Sequence, residues 1–462
     1  MVLLQASKLT LPTPSSSLSS PTSILFEPTT LSLAITHSNS SISLFPSFSP
    51  LSLSSSLQFP QTLIPKPSSS STFLILKESP NSTNPNSVIF LVCGPYRAGS
   101  QILLRFYILN RITNCFSRVN RISCGSQSQS GFLRFERELG VLMDVKHGVS
   151  VEVVGSVNYF AVYAVSSFKV WVFAVKMVEG EDGGGLRLMK CAVIRCSRPV
   201  WSLSISFGFL VLGEENGVRV FGLRRLVKGK MVVKKNSNSK LKQLPNGDHH
   251  GKYKGGGDLG GKTRGGDEAT CNGGLEGKNE KHGVAVKQTN VKYKHDNKDG
   301  GACFLALKGN EVETKSMPTV SKSVKAISIK ALSQRMFLIL DSHGDLHLLC
   351  LYNSGLGVDI TGHVKQLPRV MKVQSLAVHL DESTTASQTI WISDGCHSVH
   401  MFTMDTENAL NEADGNDGDE KPMHLPVTEV LFSSEKIQDI ISISANSILI
   451  LGQGSLYAHA IS

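Results

Sequence analysis

The feature that most constrains this chain is a layout that recurs along it. Each copy has a short alternating strand, a gap, an unbroken apolar strand, a tight polar turn and a second alternating strand. The clearest copy reads Trp201-Ser202-Leu203-Ser204-Ile205-Ser206, then Phe209-Leu210-Val211-Leu212, the turn Glu214-Glu215-Asn216-Gly217, and Val218-Arg219-Val220-Phe221. Residues 326–349, 375–402 and 439–458 repeat it, and 151–173 form an earlier relative. A fainter sixth copy spans 88–106, and a seventh could lie nearer the N-terminus. Turn residues set the period: 50 residues from Ser167 to Gly217, 51 from Gly344 to Gly395 and 57 from Gly395 to Gly452. The 127 residues from Gly217 to Gly344 are one period plus an insertion, about 75 residues on the ~40–50-residue scale of such repeats.

Continuous apolar runs are strands covered on both faces, whereas alternating runs are half exposed. The Asp-Gly, Asn-Gly and Ser-rich turns supply the positive φ that tight hairpins need. Fourth strands fall in the remainders, at 188–194 and 427–432. Repeats near fifty residues with three or four short strands each favour radial closure over a pair of β-sandwiches or a solenoid. The fold expected is all-β: a β-propeller of about six to seven four-stranded blades, with a disordered N-terminus and a long disordered basic insertion.

On this layout the chain resembles the WD-repeat family. Gly362-His363 sits ahead of a strand, and Trp171 follows Lys169-Val170 in a third strand, as in that family; no Trp-Asp dipeptide occurs. The resemblance implies a binding scaffold with protein partners.

Composition divides the chain into four parts. Residues 1–72 are rich in Ser, Pro, Leu and Thr, with Lys8, Glu27 and Lys66 their only charges apart from His37. They read as a disordered extension or as a segment similar to a plastid transit peptide, which would go with land-plant origin. Residues 73–227 hold the first blades, 228–318 a Gly/Lys-rich disordered insertion, and 319–462 the last blades. Net charge is +10, and residues 224–300 alone carry 18 Lys and Arg against 8 Asp and Glu. The rest of the chain is therefore neutral, and any nucleic-acid binding through the basic tether is expected to be weak, salt-sensitive and non-specific. Within it Arg224, Arg225, Lys228, Lys230, Lys234 and Lys235 form two clusters that read as a bipartite nuclear import signal, or equally as a loop kept soluble by lysine. The nine cysteines show no metal-like spacing and suggest a reducing compartment.

Three motifs suggest chemistry and are better read otherwise. Gly256-Gly257-Asp258-Leu259-Gly260-Gly261-Lys262-Thr263 matches a P-loop letter for letter, but no apolar strand precedes it and Arg264-Gly265-Gly266 makes a poor helix start. His343 and His347, like Cys396, His397 and His400, lack the further ligands zinc requires, so they read as solvent-facing turn and strand residues. Residues 157–178 are apolar enough for a membrane helix, but Ser166, Ser167 and Lys169 interrupt them, and a hairpin fits better. Seven acids in 405–420 read as a solvated loop, or as an acidic docking site.

No residue is thus assigned a catalytic, cofactor or metal role. The function expected is a non-catalytic scaffold for protein–protein interactions, in a nuclear complex or the cytoplasm, with no membrane. The alternatives are an RNA-associated, splicing-related factor using the insertion, and last an enzyme with a site in the propeller channel.

Overall fold

Seven mainly antiparallel sheets follow one another along the chain and close into a ring. The computed structural model describes residues 4–10, 19–48, 62–77, 86–125, 132–145, 148–178, 184–228, 289–292, 302–307, 323–353, 360–380, 387–405 and 427–461. Residues 1–229 with 287–462 form one compact unit. The chain is a seven-bladed β-propeller.

The first three strands of each blade are consecutive in the chain and run from the axis outwards, while the outer strands of blades 2, 4 and 7 come from elsewhere in the chain. The innermost strands of blades 1 to 7 are Pro21–Glu27, Ser70–Leu76, Val151–Gly155, Ser202–Ser206, Ala326–Ala331, Ser375–Val378 and Asp439–Ser444, each touching the next and the last touching the first. Second strands, such as Met336–Asp341 and Ser447–Leu451, are buried along their whole length. Their unbroken apolar runs have a direct cause. Alternate residues face opposite neighbours: Ile448 and Ile450 pack towards blade 6, Leu449 and Leu451 towards blade 1. One hydrophobic cluster fills each of the seven junctions among the described residues, so the core is a ring of seven small cores.

Neighbouring innermost strands meet without forming a continuous ladder: Ile75 of blade 2 pairs with Val157 of blade 3 in a single parallel bridge, and polar side chains make further links. The Val153 and Gly155 N–H groups donate to Ser70 Oγ and Thr72 Oγ1, both at 3.0 Å. Ser202 Oγ donates to the Ala326 carbonyl at 2.8 Å, and the Ile24 N–H donates to Asp439 Oδ2 at 3.0 Å. Gly155 serves the same closeness, because a Cβ there would lie 2.7 Å from the Phe73 carbonyl oxygen.

The expectation of a disordered N-terminus is overturned among the described residues. Pro21–Glu27, Ser32–His37, Ile42–Phe45 and Thr62–Ile64 build blade 1, and blade 2 begins at Ser70. Leu4–Thr10 pairs antiparallel with Ser455–Ile461 as the outer strand of blade 7, so the two ends of the chain close the ring together. Blade 1 has the repeat layout in weak form: its second strand carries only Leu33, Ala34 and Ile35 as its apolar run. Prolines stand where strands tolerate them, at the first residue of a strand (Pro21) and in turns (Pro28, Pro46).

The 228–318 boundary also moves, since Ala302–Ala306 within it is the outer strand of blade 4 and Thr289–Lys292 runs parallel to Ala192–Arg195 in blade 3. The insertion is therefore a connection between the third and fourth strands of blade 4. Residues 229–288, with the P-loop-like string at 256–263, lie outside the described residues, as do residues 406–426 of the acidic stretch. Residues 157–178 form the expected hairpin, Tyr159–Ala164 with Lys169–Val178. No helix among the described residues is long and apolar enough to cross a membrane.

Candidate functional site

The topology sorts loops onto two faces. Connections between blades share one face with the turns between second and third strands; we refer to it as the upper face. On it, around blades 2 to 5, lies a row of exposed apolar side chains: Val149, Val165, Phe168 and Trp201. Backbone bonds join the loops that carry them. The Val165 N–H donates to the Ser150 carbonyl at 3.1 Å, the Cys196 N–H to Phe168 at 2.7 Å, and the Trp201 N–H to Gly213 at 2.7 Å.

Two of these residues are held in unusual settings. Trp201 is 42% exposed although large, and the Lys325 ammonium sits 3.9 Å from its ring centroid. Phe168 adopts φ 49 and ψ 41, a left-handed conformation that is a genuine outlier for a bulky residue, and its ring is 39% exposed. Both signs of charge flank the row, with Asp144 exposed and Glu215 half-buried on the same face. Arg97, Arg195, Lys372 and Lys436 are exposed on this face, whereas Asp345 is engaged by Arg369 at 3.2 Å and Glu435 by Lys8 at 3.6 Å.

A second concavity of about 490 Å³ lies along the ring axis, lined by innermost strands of blades 1, 2, 5, 6 and 7. Lys330 and Asp439 both face it. Burial raises the Asp439 pKa, against the Ile24 N–H, the more distant Lys330 and the Ile440 N–H, which lower it. Glu152, on blade 3's innermost strand, is pushed up to about 7 by burial, with a bond from the Leu203 N–H opposing.

The histidines divide. His343 is exposed, as expected, but His347 is 1% exposed and its Nε2 lies 2.9 Å from Asp341 Oδ2. The solvent-facing reading of His347 is therefore wrong: the residue lies under the blade 5 turn, where Asp341 Oδ1 also accepts the His343 and Asp345 N–H groups. Equivalent buried pairs occur elsewhere. Arg219 makes two bonds to Glu214, at 2.8 and 3.1 Å, in blade 4, and His37 Nε2 lies 2.8 Å from Ser43 Oγ in blade 1. In all three the third-strand partner lies opposite the residue two before the end of the second strand. The sequence signal was a polar residue closing an apolar run, with its partner five or six positions on.

Cys396 and His397 are exposed and His400 is half-buried; among the described residues no group of three or more His, Cys, Asp or Glu is placed to hold a metal ion. Gly362-His363 lies inside the outer strand Ile360–Gln366 rather than ahead of an inner one, with His363 stacked on Tyr352. Arg224 and Arg225 fall on the short helix Leu223–Lys228, whose Leu223 and Leu226 are buried in the blade 3–4 cluster. Arg224 is exposed and Arg225 half-buried; Lys230, Lys234 and Lys235 lie outside the described residues.

No protein-family model and no curated protein sequence matches this chain. Among solved structures it is similar to the β-propeller domain of Cps50 (Swd1) from Myceliophteria thermophila, at 7% identity and TM-score 0.46, over 98% of this chain and 100% of that one. It is likewise similar to the WD40 repeats of RRP9, at 10% identity and TM-score 0.42, over 99% and 97% of the two chains. The class of protein stated above rests on the seven sheets and their closure.

Proposed function

We propose that this chain is a non-catalytic propeller scaffold that carries a protein partner on its upper face. The observation that supports this most is Trp201, exposed under the Lys325 ammonium on the same face as the exposed Phe168, Val165 and Val149. Monomeric proteins rarely expose contiguous apolar surface without using it, and Trp with Arg is enriched where partners bind.

The test compares tagged wild type with Trp201→Ala and Phe168→Ala in affinity purification, with melting checked for each. The reading expects a stoichiometric partner that both variants lose while their melting is unchanged. Retention of the same partner by both would place the interface elsewhere. An RNA that co-purifies only while residues 230–286 are present would favour the RNA-associated alternative.

The proposed compartment is the nucleus or cytoplasm. Cleaving residues 1–72 as a transit segment would remove blade 1 and the closing strand, so the plastid alternative carries a structural cost. Imaging a C-terminal fluorescent fusion with and without residues 230–286 tests import through the insertion, and a plastid signal would overturn the proposal.

A further inference from the structure

We propose that the axial cavity binds an aliphatic α-amino acid, with Lys330 taking its carboxylate and Asp439 its ammonium. The two residues stand on innermost strands of different blades, Ala326–Ala331 and Asp439–Ser444, and line one cavity. Lys330 is near enough to act on Asp439 electrostatically, yet among the described residues the two form no ion pair. Each charge thus lacks a contact counter-ion, and one ligand could supply both.

The carboxylate is already oriented. Asp439 Oδ2 accepts the Ile24 N–H at 3.0 Å and Oδ1 its neighbour Ile440's at 2.9 Å, so little ordering remains for a ligand to impose. Burial raises the Asp439 pKa more than Lys330 lowers it, which is the condition of a carboxylate short of a touching cation. A simple anion drawn to Lys330 would meet Asp439, and a simple cation drawn to Asp439 would meet Lys330. A zwitterion with adjacent charges satisfies both.

The rest of the wall suits such a molecule. Phe26, Val378 and Ile441 offer half-buried apolar surface, and the Ser23 and Ser71 hydroxyls make no hydrogen bond to a described residue. The volume of about 490 Å³ falls within the range of small-molecule sites, roughly 300–1,000 Å³. The inference is independent of the upper face, so either reading can fail alone.

The experiment is isothermal titration of the full chain with L-leucine, N-acetyl-L-leucine and L-leucinamide, each analogue lacking one charge. Leucine is expected to bind saturably, and each analogue at least about tenfold more weakly, the loss typical of one charged hydrogen bond. Lys330→Met, at an exposed side chain, should weaken leucine similarly with melting unchanged. Asp439→Asn keeps an acceptor for the Ile24 N–H and should do the same; if it does not fold, the analogues and Lys330→Met still decide. No heat with leucine up to its solubility overturns the proposal, as does equal binding of the analogues or an unaffected Lys330→Met.

Discussion

Glu152 and Glu435 are carboxylates moved in opposite directions, and each sets a pH dependence. Glu152 is half-buried at the blade 3–4 junction, its pKa pushed from 4.5 to about 7. The folded protein therefore holds a proton that the unfolded chain releases, and stability falls as pH rises from 4.5 to 7. Glu152→Gln keeps an acceptor for the Leu203 N–H and removes the ionisation. The variant should melt higher than wild type at pH 8 and alike at pH 4, with a ceiling of about 3 kcal/mol at ~1.4 kcal/mol per pKa unit. A calorimetric pH series checks it. For Glu435, burial raises the pKa, but the Gly454 N–H, Ser455, the Tyr457 hydroxyl and Lys8 together bring it down from 4.5 to about 2. Its contribution is full above 4.5 and lost as pH falls towards 2. Glu435→Gln should lower the melting temperature at pH 7 and flatten its decline through the acid range.

At the scale of the element, the hairpin between second and third strands is where blades differ in chemistry while keeping one geometry. Asp341–His347, Glu214–Arg219 and His37–Ser43 occupy the same place under the turn. Gly344, at φ +84, completes the blade 5 turn, and a Cβ there would also meet the Val373 carbonyl at 2.9 Å. The Glu214 and Arg219 side chains are only 3% and 11% exposed, so removing one breaks two charge-assisted bonds in a poorly solvated place. Arg219→Met should cost about 1.5–3 kcal/mol in chemical denaturation, the range for hydrogen bonds to charged groups, and Glu214→Gln/Arg219→Met should cost less than the two single variants summed. A double variant that costs the full sum would show that the pair is uncoupled. These hairpins were half legible in the sequence. The Asp341–Gly344 turn announced itself, but His347 could be called buried only once blade 4 was seen against blade 5, since it shares the face of Leu349 and Leu351.

The whole molecule depends on its ends. Leu4–Thr10 completes blade 7 in backbone register with Ser455–Ile461, Leu9 enters the blade 7–1 cluster, and Lys8 reaches Glu435. Removing residues 1–18 should leave blade 7 one strand short and expose that junction. Limited proteolysis is expected to cut near residues 439–461 in the truncated protein and spare them in the intact one. Joining Gly229 directly to Lys287 should leave cooperative melting in place, because residues 1–229 with 287–462 form the compact unit. A large fall in melting temperature from that deletion would show that the insertion supports the ring.

By itself the sequence determined that this chain would stack repeated sheets. Its buried second strands are faced on both sides, and that environment writes unbroken apolar runs such as 336–340 and 448–451 into the chain. It also marked where the insertion leaves blade 4, through the interrupted period between Gly217 and Gly344. Tertiary structure alone decided how the ring closes, because pairing of residues 4–10 with 455–461 is a contact between opposite ends that no local pattern encodes. It also decided the fate of residues 19–72, whose Ser- and Pro-rich strands order only against blades 7 and 2. Likewise, Lys330 and Asp439 are 109 positions apart in sequence, and only radial closure brings them to one cavity.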